Sequence, residues 1–199
     1  MRESSTLRGE SRLQHDPGRG YENHVVALRC GILGLVQPLT VALEAIGVRT
    51  DHRATLLVLV DLPCGFAVGQ LRSMEDAPAQ VVVLANNPCA EYWEDLWDMQ
   101  PAALVSDVRI DQTLADAITS VARGERYRLT PPLSSALTPT ERSLLRYVAH
   151  GWDNRHIARR LDLEEQSVRN RLTRVYAKLK VPNRVQAALY YWGRNALVM

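Results

Sequence analysis

Residues 137–180 read LTPTERSLLRYVAHGWDNRHIARRLDLEEQSVRNRLTRVYAKLK, and this stretch decides the architecture of the second half of the chain. Thr138-Pro139-Thr140-Glu141 is a helix start: Thr138 can cap, proline fits the first turn, and Glu141 can close a capping box. Leu144, Leu145 and Val148 give the helix that follows an apolar face. A second helix begins near Asp153 and buries Ile157, Ala158 and Leu161. A third runs over about 164–179, with Val168, Leu172, Val175 and Leu179 on one stripe. A fourth begins near Asn183 and buries Val185, Ala188, Leu189 and Trp192. Only residues 162–164 separate the second and third helices. A bend that short forces them across each other, which is helix-turn-helix geometry.

With Val168, Leu172 and Val175 inward, the opposite face of the third helix carries Gln166, Arg169, Asn170, Thr173 and Arg174. These side chains suit the major groove: arginine can pair bidentately with guanine, asparagine with adenine, and threonine can touch a thymine methyl. Arg171 and Lys178 flank the stripe and suit phosphates, which position without specifying. The competing reading is a charged helix face that meets only water. Charge distribution weighs against it. Residues 137–199 hold 12 Lys+Arg and 5 Asp+Glu, a net +7, whereas residues 1–136 net −5. A basic block beside an acidic one is what a nucleic-acid-binding module on a non-binding partner domain looks like.

Residues 137–193 resemble the DNA-binding domain of LuxR/FixJ-type regulators, NarL-like response regulators included. The likeness rests on the LTxxE opening, NxxIA in the second helix, SVxN in the third, then KL and RxQA. It implies that the helix at 164–179 lies in the major groove of double-stranded DNA, with Thr140, Asn154 and Arg155 at phosphates. It also implies a homodimer on an inverted-repeat site, joined through Val185, Ala188, Leu189 and Trp192 of the last helix, 183–197. Two residues depart from the pattern: Asp162 replaces the usual glycine of the turn, and Glu164 the usual Ser/Thr cap. Aspartate tolerates the left-handed conformation at modest cost, so the turn is expected to survive.

The first half alternates strand and helix, the mark of a doubly wound parallel sheet. Strands are expected near 25–28, 55–60, 81–85 and 103–106, with helices near 34–46, 66–75, 89–99 and 111–123. TLLVLV, residues 55–60, is apolar throughout, as a strand covered on both faces must be. Domain limits follow: a polar, disordered tail over 1–22, an α/β domain over 23–124, a Pro- and Ser-rich linker over 125–136, and the helical domain over 137–199.

In the family named above, an α/β domain in this place implies a receiver. A receiver holds Mg²⁺ with an acidic pair after its first strand and accepts phosphate on an aspartate after its third. It also needs Thr/Ser after the fourth strand and Lys after the fifth. Asp61, in LVLVDLP, falls at the acceptor position; its other reading is a carboxylate at a strand end that caps the next loop. Cys30 and Gly31 stand where the acidic pair belongs, Ala85 at the hydroxyl position, and Ser106 or Asp107 in place of lysine. A lone carboxylate binds no divalent ion strongly, so no metal and no cofactor are expected and the domain reads as a pseudo-receiver. Seven residues between Gly47 and Thr55 leave no room for a second strand plus helix. Residues 48–52 at most form a short edge strand. Trp93 and Trp97, one helical turn apart, suit core anchors first and a dimer interface second.

Composition narrows the classes. Apolar residues make up 46% and charged residues 23% of the 199, which is ordinary globular usage. No apolar run approaches the ~18 residues that span a bilayer, and the N-terminus has no apolar core of a secretory signal. Cys30, Cys64 and Cys89 have no metal-ligand spacing, so a reducing cytoplasm is expected. No phosphate-binding glycine loop, zinc motif or Ser/His/Asp array points to an enzyme. The leading expectation is a sequence-specific, dimeric transcription regulator, controlled without aspartyl phosphorylation by dimerisation, a small molecule, a protein partner or abundance. The alternatives are a phosphorylation-dependent response regulator using Asp61, and an interaction adaptor that does not read DNA.

Overall fold

A computed structural model of the protein describes residues 24–74, 80–106, 110–132 and 135–194. Two units follow in chain order. The first holds β1 (Val25–Cys30), α1 (Leu33–Ala45), β2 (Arg49–Thr50), β3 (Leu57–Val60), α2 (Phe66–Ser73), β4 (Val81–Leu84), α3 (Ala90–Asp98), β5 (Ala103–Val105), α4 (Gln112–Ala122) and β6 (Tyr127–Leu129). The second holds α5 (Pro139–Ala149), α6 (Asn154–Leu161), α7 (Glu165–Leu179) and α8 (Arg184–Tyr191).

The strands form one parallel sheet in the order β2-β1-β3-β4-β5-β6. Every residue of β3 and β4 is buried, as their unbroken apolar runs require. Alternate side chains feed opposite layers. Val58, Val60, Val82 and Leu84 pack under α1 and α4 with Leu43, Leu114 and Ile118. Leu57, Leu59, Val81 and Val83 pack toward α2 and α3 with Val68, Leu71, Trp93 and Leu96. That second layer continues without a break into Leu144, Leu145, Val168, Leu172 and Tyr191 of the helical unit.

The shortened edge is as expected: β2 is two residues long, and no helix lies between Thr50 and Leu57. Three expectations need correction. Residues 125–136 are not all connector, because Tyr127–Leu129 adds a sixth strand beside β5. Three residues, two half-buried and the third exposed, are too few beside two prolines to show a period. The last helix ends at Tyr191, well short of 197, where Gly193 takes φ +69° and closes it. The early strand at 55–60 starts only at Leu57. The tail at 1–22 and Asp107 lie outside the described residues.

Candidate nucleic-acid interface

The turn between α6 and α7 forms as its spacing demands. The Asp153 carboxylate accepts the His156 amide hydrogen at 2.8 Å and caps α6. Asp162 closes the same helix at φ +54°, ψ 51°, the left-handed well that glycine usually fills. The Leu163 amide donates to the Ala158 carbonyl at 2.9 Å and redirects the chain. Glu164 stands at the cap position of α7 without a side-chain capping bond, so this departure leaves the helix start dependent on acid–dipole attraction from Glu165.

Val168, Leu172 and Val175 bury one side of α7, and Gln166, Arg169, Asn170, Thr173 and Arg174 all stand exposed on the other. Their contacts are local. Gln166 Nε2 donates to Asn170 Oδ1 at 3.1 Å, Thr173 Oγ1 to the Arg169 carbonyl at 3.1 Å, and Arg169 lies 3.8 Å from Glu165. Exposed contacts of this kind exchange for a base edge at little cost.

The residues expected at phosphates divide. Thr140, Arg155 and Arg171 are exposed. Lys178 Nζ is 2.6 Å from Glu141 Oε2, the carboxylate that also accepts from the Thr138 amide in the completed capping box. Burial works against the Glu141 charge, but Lys178 and Thr138 outweigh it and hold its pKa below the ordinary value. Asn154 is half-buried, and its Oδ1 accepts from Arg184 at 3.1 Å while Arg184 also donates to the Trp152 carbonyl. Asn154 therefore ties α6 to α8. On α8 the expected burial of Val185 needs correction, since it is 65% exposed at the outer side of the helix, while Ala188 and Leu189 are half-buried. Trp192 does not share a free surface with them: its Nε1 donates to the Ala149 carbonyl at 2.9 Å, and its ring packs 6.0 Å from that of Tyr92.

Asp61, at the end of β3, is 2% exposed. Its Oδ1 accepts from the Gly65 and Ala67 amides at 3.0 and 2.8 Å, and its Oδ2 accepts from the Tyr92 hydroxyl at 2.6 Å. It thus caps the start of α2. Burial raises its pKa despite these donors, and burial beside Asp61 pushes the Tyr92 phenol up. A receiver's Mg²⁺ does not fit here. A Cβ on Gly31 would meet Phe66 at 2.7 Å and the Leu62 carbonyl at 2.9 Å, so no acidic side chain has room. The Cys30 thiol faces the Leu62 carbonyl at 3.5 Å, and among the described residues no three His, Cys, Asp or Glu side chains cluster as metal ligands.

The same end of the sheet meets the helical unit. Glu91, Glu94, Asp95 and Asp98 line one face of α3 at helical spacing. Asp95, 2% exposed, lies 3.3 Å from Arg146 and accepts from the Tyr191 hydroxyl at 2.8 Å. Burial raises its pKa and Arg146 opposes the rise. Glu91, 1% exposed, accepts from Tyr190 at 2.9 Å and Ser135 at 3.0 Å. Arg142 reaches Asp98 at 2.9 Å and Glu94 at 3.5 Å. Asn87 Nδ2 donates to the Tyr191 carbonyl at 2.9 Å. The sequence reading missed this seam, although the acidic i, i+3, i+4, i+7 stripe and the Arg142/Arg146 pair were visible. Trp93 is a core residue, its Nε1 bonded to the Asn87 carbonyl; Trp97 lies under Arg126, 4.1 Å from its ring centre.

Residues 135–191 match the family described as bacterial regulatory proteins, luxR family. A Mycobacterium tuberculosis protein named an HTH-type transcriptional regulator is 40% identical over 108 residues, which are 54% of this chain and 11% of that one. The nitrate/nitrite response regulator NarL of Escherichia coli is 31% identical over 97 residues, 49% of this chain and 44% of NarL. The chain spans less than half the length of these curated relatives. Among solved structures, the two-component response regulator RcsB in complex with DNA shares the fold at a TM-score of 0.51. Sequence identity there is 18%, over 87% of this chain and 100% of that one. The architecture is a receiver-like α/β domain followed by a LuxR-type helix-turn-helix domain.

Proposed function

Since residues 135–191 are a helix-turn-helix domain of the luxR family, we propose that this chain is a sequence-specific DNA-binding transcription regulator. In this reading it acts in the cytoplasm as a homodimer on an inverted-repeat site, without aspartyl phosphorylation. The observation that carries it is the outer face of α7, where Gln166, Arg169, Asn170, Thr173 and Arg174 stand exposed behind the Asp162 turn. NarL and RcsB are named as response regulators, which supports the same assignment for the helical domain. Control without phosphate is supported by the surroundings of Asp61: its oxygens are already occupied by two amides and a phenol, and Gly31 leaves no space for a metal ligand. No helix among the described residues is long and apolar enough to cross a membrane.

Selecting bound fragments from genomic DNA with purified protein tests the first part. Recovery of a common motif is expected, with log affinity falling against log salt at about −0.9 per phosphate contacted. Retention of no duplex at low ionic strength sinks DNA binding and leaves the adaptor. A small phosphodonor with Mg²⁺ tests the second part: no phosphoryl group on Asp61 and no change in DNA affinity are expected. A stable, Asp61-dependent rise in affinity establishes the phosphorylation-dependent reading instead.

A further inference from the structure

Between the two units runs a seam whose chemistry differs from a releasable surface contact. Asp95 and Glu91, almost wholly buried, each meet a tyrosine of α8. The carboxylates regain water when the units part, so their pairing alone does not hold the joint. What opposes release is the apolar layer that runs unbroken from Val83, Trp93 and Leu96 into Leu144, Leu145 and Tyr191 and would be opened to water. Two glycines allow the close approach. A Cβ on Gly65 (φ +97°) would lie 3.1 Å from the Trp192 ring, and one on Gly193 (φ +69°) would lie 2.7 Å from Asn87 and Pro88. Tyr92 joins these contacts to Asp61: its hydroxyl bonds the carboxylate, and its ring meets those of Tyr191 and Trp192 at 5.4 and 6.0 Å.

The seam also lies away from the reading face. Among the described residues, its hydrogen bonds and ion pairs reach Ser135 of the connecting segment and α5 and α8 of the helical unit. The base-facing side chains of α7 stay exposed with the units docked.

We propose that this seam is a fixed fastening rather than a releasable brake: the docked chain binds DNA as it stands, and Asp61, through Tyr92, anchors the joint. The position that would hold a switchable phosphate has become a structural support. The proposal rests on the DNA-binding reading given above, and it adds that the two units need not separate for binding.

Hydrogen exchange on the full chain tests it, with a 30-base-pair duplex of random sequence at low salt as probe and Tyr92→Phe and Gly193→Val as variants. Duplex is expected to slow exchange in α6 and α7 and to leave exchange in 89–98 and 187–193 unchanged. Acceleration there by about tenfold or more on binding overturns the fastening. Both variants are expected to speed seam exchange in the free protein without tightening DNA binding. A gain of about tenfold in affinity, the size of an ordinary allosteric coupling, overturns it equally. If Gly193→Val fails to fold, Tyr92→Phe, which loses one oxygen, and the wild-type comparison still decide. Retention of no duplex by the wild type overturns the DNA-binding reading, and is told apart because seam exchange in the free chain stays slow.

Discussion

Replacing Arg146 with Met removes the cation beside Asp95 while keeping most of the stem's apolar volume. The pair stands at 3.3 Å, with the aspartate side chain 2% exposed and the arginine 21%. At an effective dielectric near 20, charges at that separation attract by about 5 kcal/mol. Part of that is offset by the cost of dehydrating Arg146, and Asp95 retains the Tyr191 hydroxyl at 2.8 Å. A loss of about 3 kcal/mol at pH 8 is expected, the low end for stripping one partner from a buried pair. Asp95→Asn alone strands only an arginine that can reach water, and should cost about 1 kcal/mol. The double variant should fall short of the summed singles by about 2 kcal/mol, well beyond the ~0.5 kcal/mol scatter of independent sites. The pH dependence has a fixed sign. Burial already raises the Asp95 pKa, and loss of Arg146 raises it further. The folded variant therefore takes up a proton as pH falls, and its deficit at pH 5 should be smaller than at pH 8. Urea unfolding of the full chain at both pH values measures all of this. Additive singles, or an Arg146→Met deficit that grows toward pH 5, would refute the account of the seam.

The remaining expectations concern the helical unit. Asn170→Ala or Arg169→Ala should cost roughly 1–3 kcal/mol of DNA affinity and relax base preference, read from a panel of single-base operator variants. Lys178→Ala should weaken every sequence about equally and flatten the salt slope by about 1. Asp162→Gly should stabilise the domain slightly, and Asp162→Val should destabilise it by about 1–2 kcal/mol in thermal melts, because a β-branched residue fits poorly at φ +54°. Burial and then the charges of Arg72 and Arg146 lower the His150 pKa, so the unfolded chain binds the proton more readily. Stability should fall as pH drops below about 6.5, and His150→Gln should flatten that slope.

How far these features can be read from sequence depends on the range of the interactions behind them. Capping, turns and helix stripes are local, so Thr138, Asp153, Asp162 and the Val168–Leu172–Val175 face are legible in the sequence. The shortened β2 edge followed from a simple count of connecting residues. The sixth strand did not, because pairing of Tyr127–Leu129 with Ala103–Val105 is a non-local event on a segment too short for a pattern. Trp192 is ambiguous in sequence for a related reason. Its helical position allows either a free dimer surface or a docked one, and only the approach of Gly65 and Tyr92 across the seam decides. Asp61 was legible as a carboxylate without its partners, while the tyrosine that occupies it lies 31 residues away.

The charge imbalance along the chain takes on a spatial meaning once the seam is known. Arg142 and Arg146 point at the acidic stripe of α3, where their charge is largely neutralised by Glu94, Asp95 and Asp98. The exposed cations that remain include Arg155, Arg159 and Arg160 on α6, with Arg169, Arg171 and Arg174 on α7. Acid in the first unit therefore sorts the base in the second, fixing its docked side and leaving excess positive field on the α6–α7 side. On the proposed DNA-binding reading, that field draws a phosphate backbone to this side and orients the chain before any base is touched. The same sorting accounts for the acidic character of the receiver-like unit without a metal: four of its carboxylates are occupied at the joint, and Asp61, behind them, holds the tyrosine on which the joint rests.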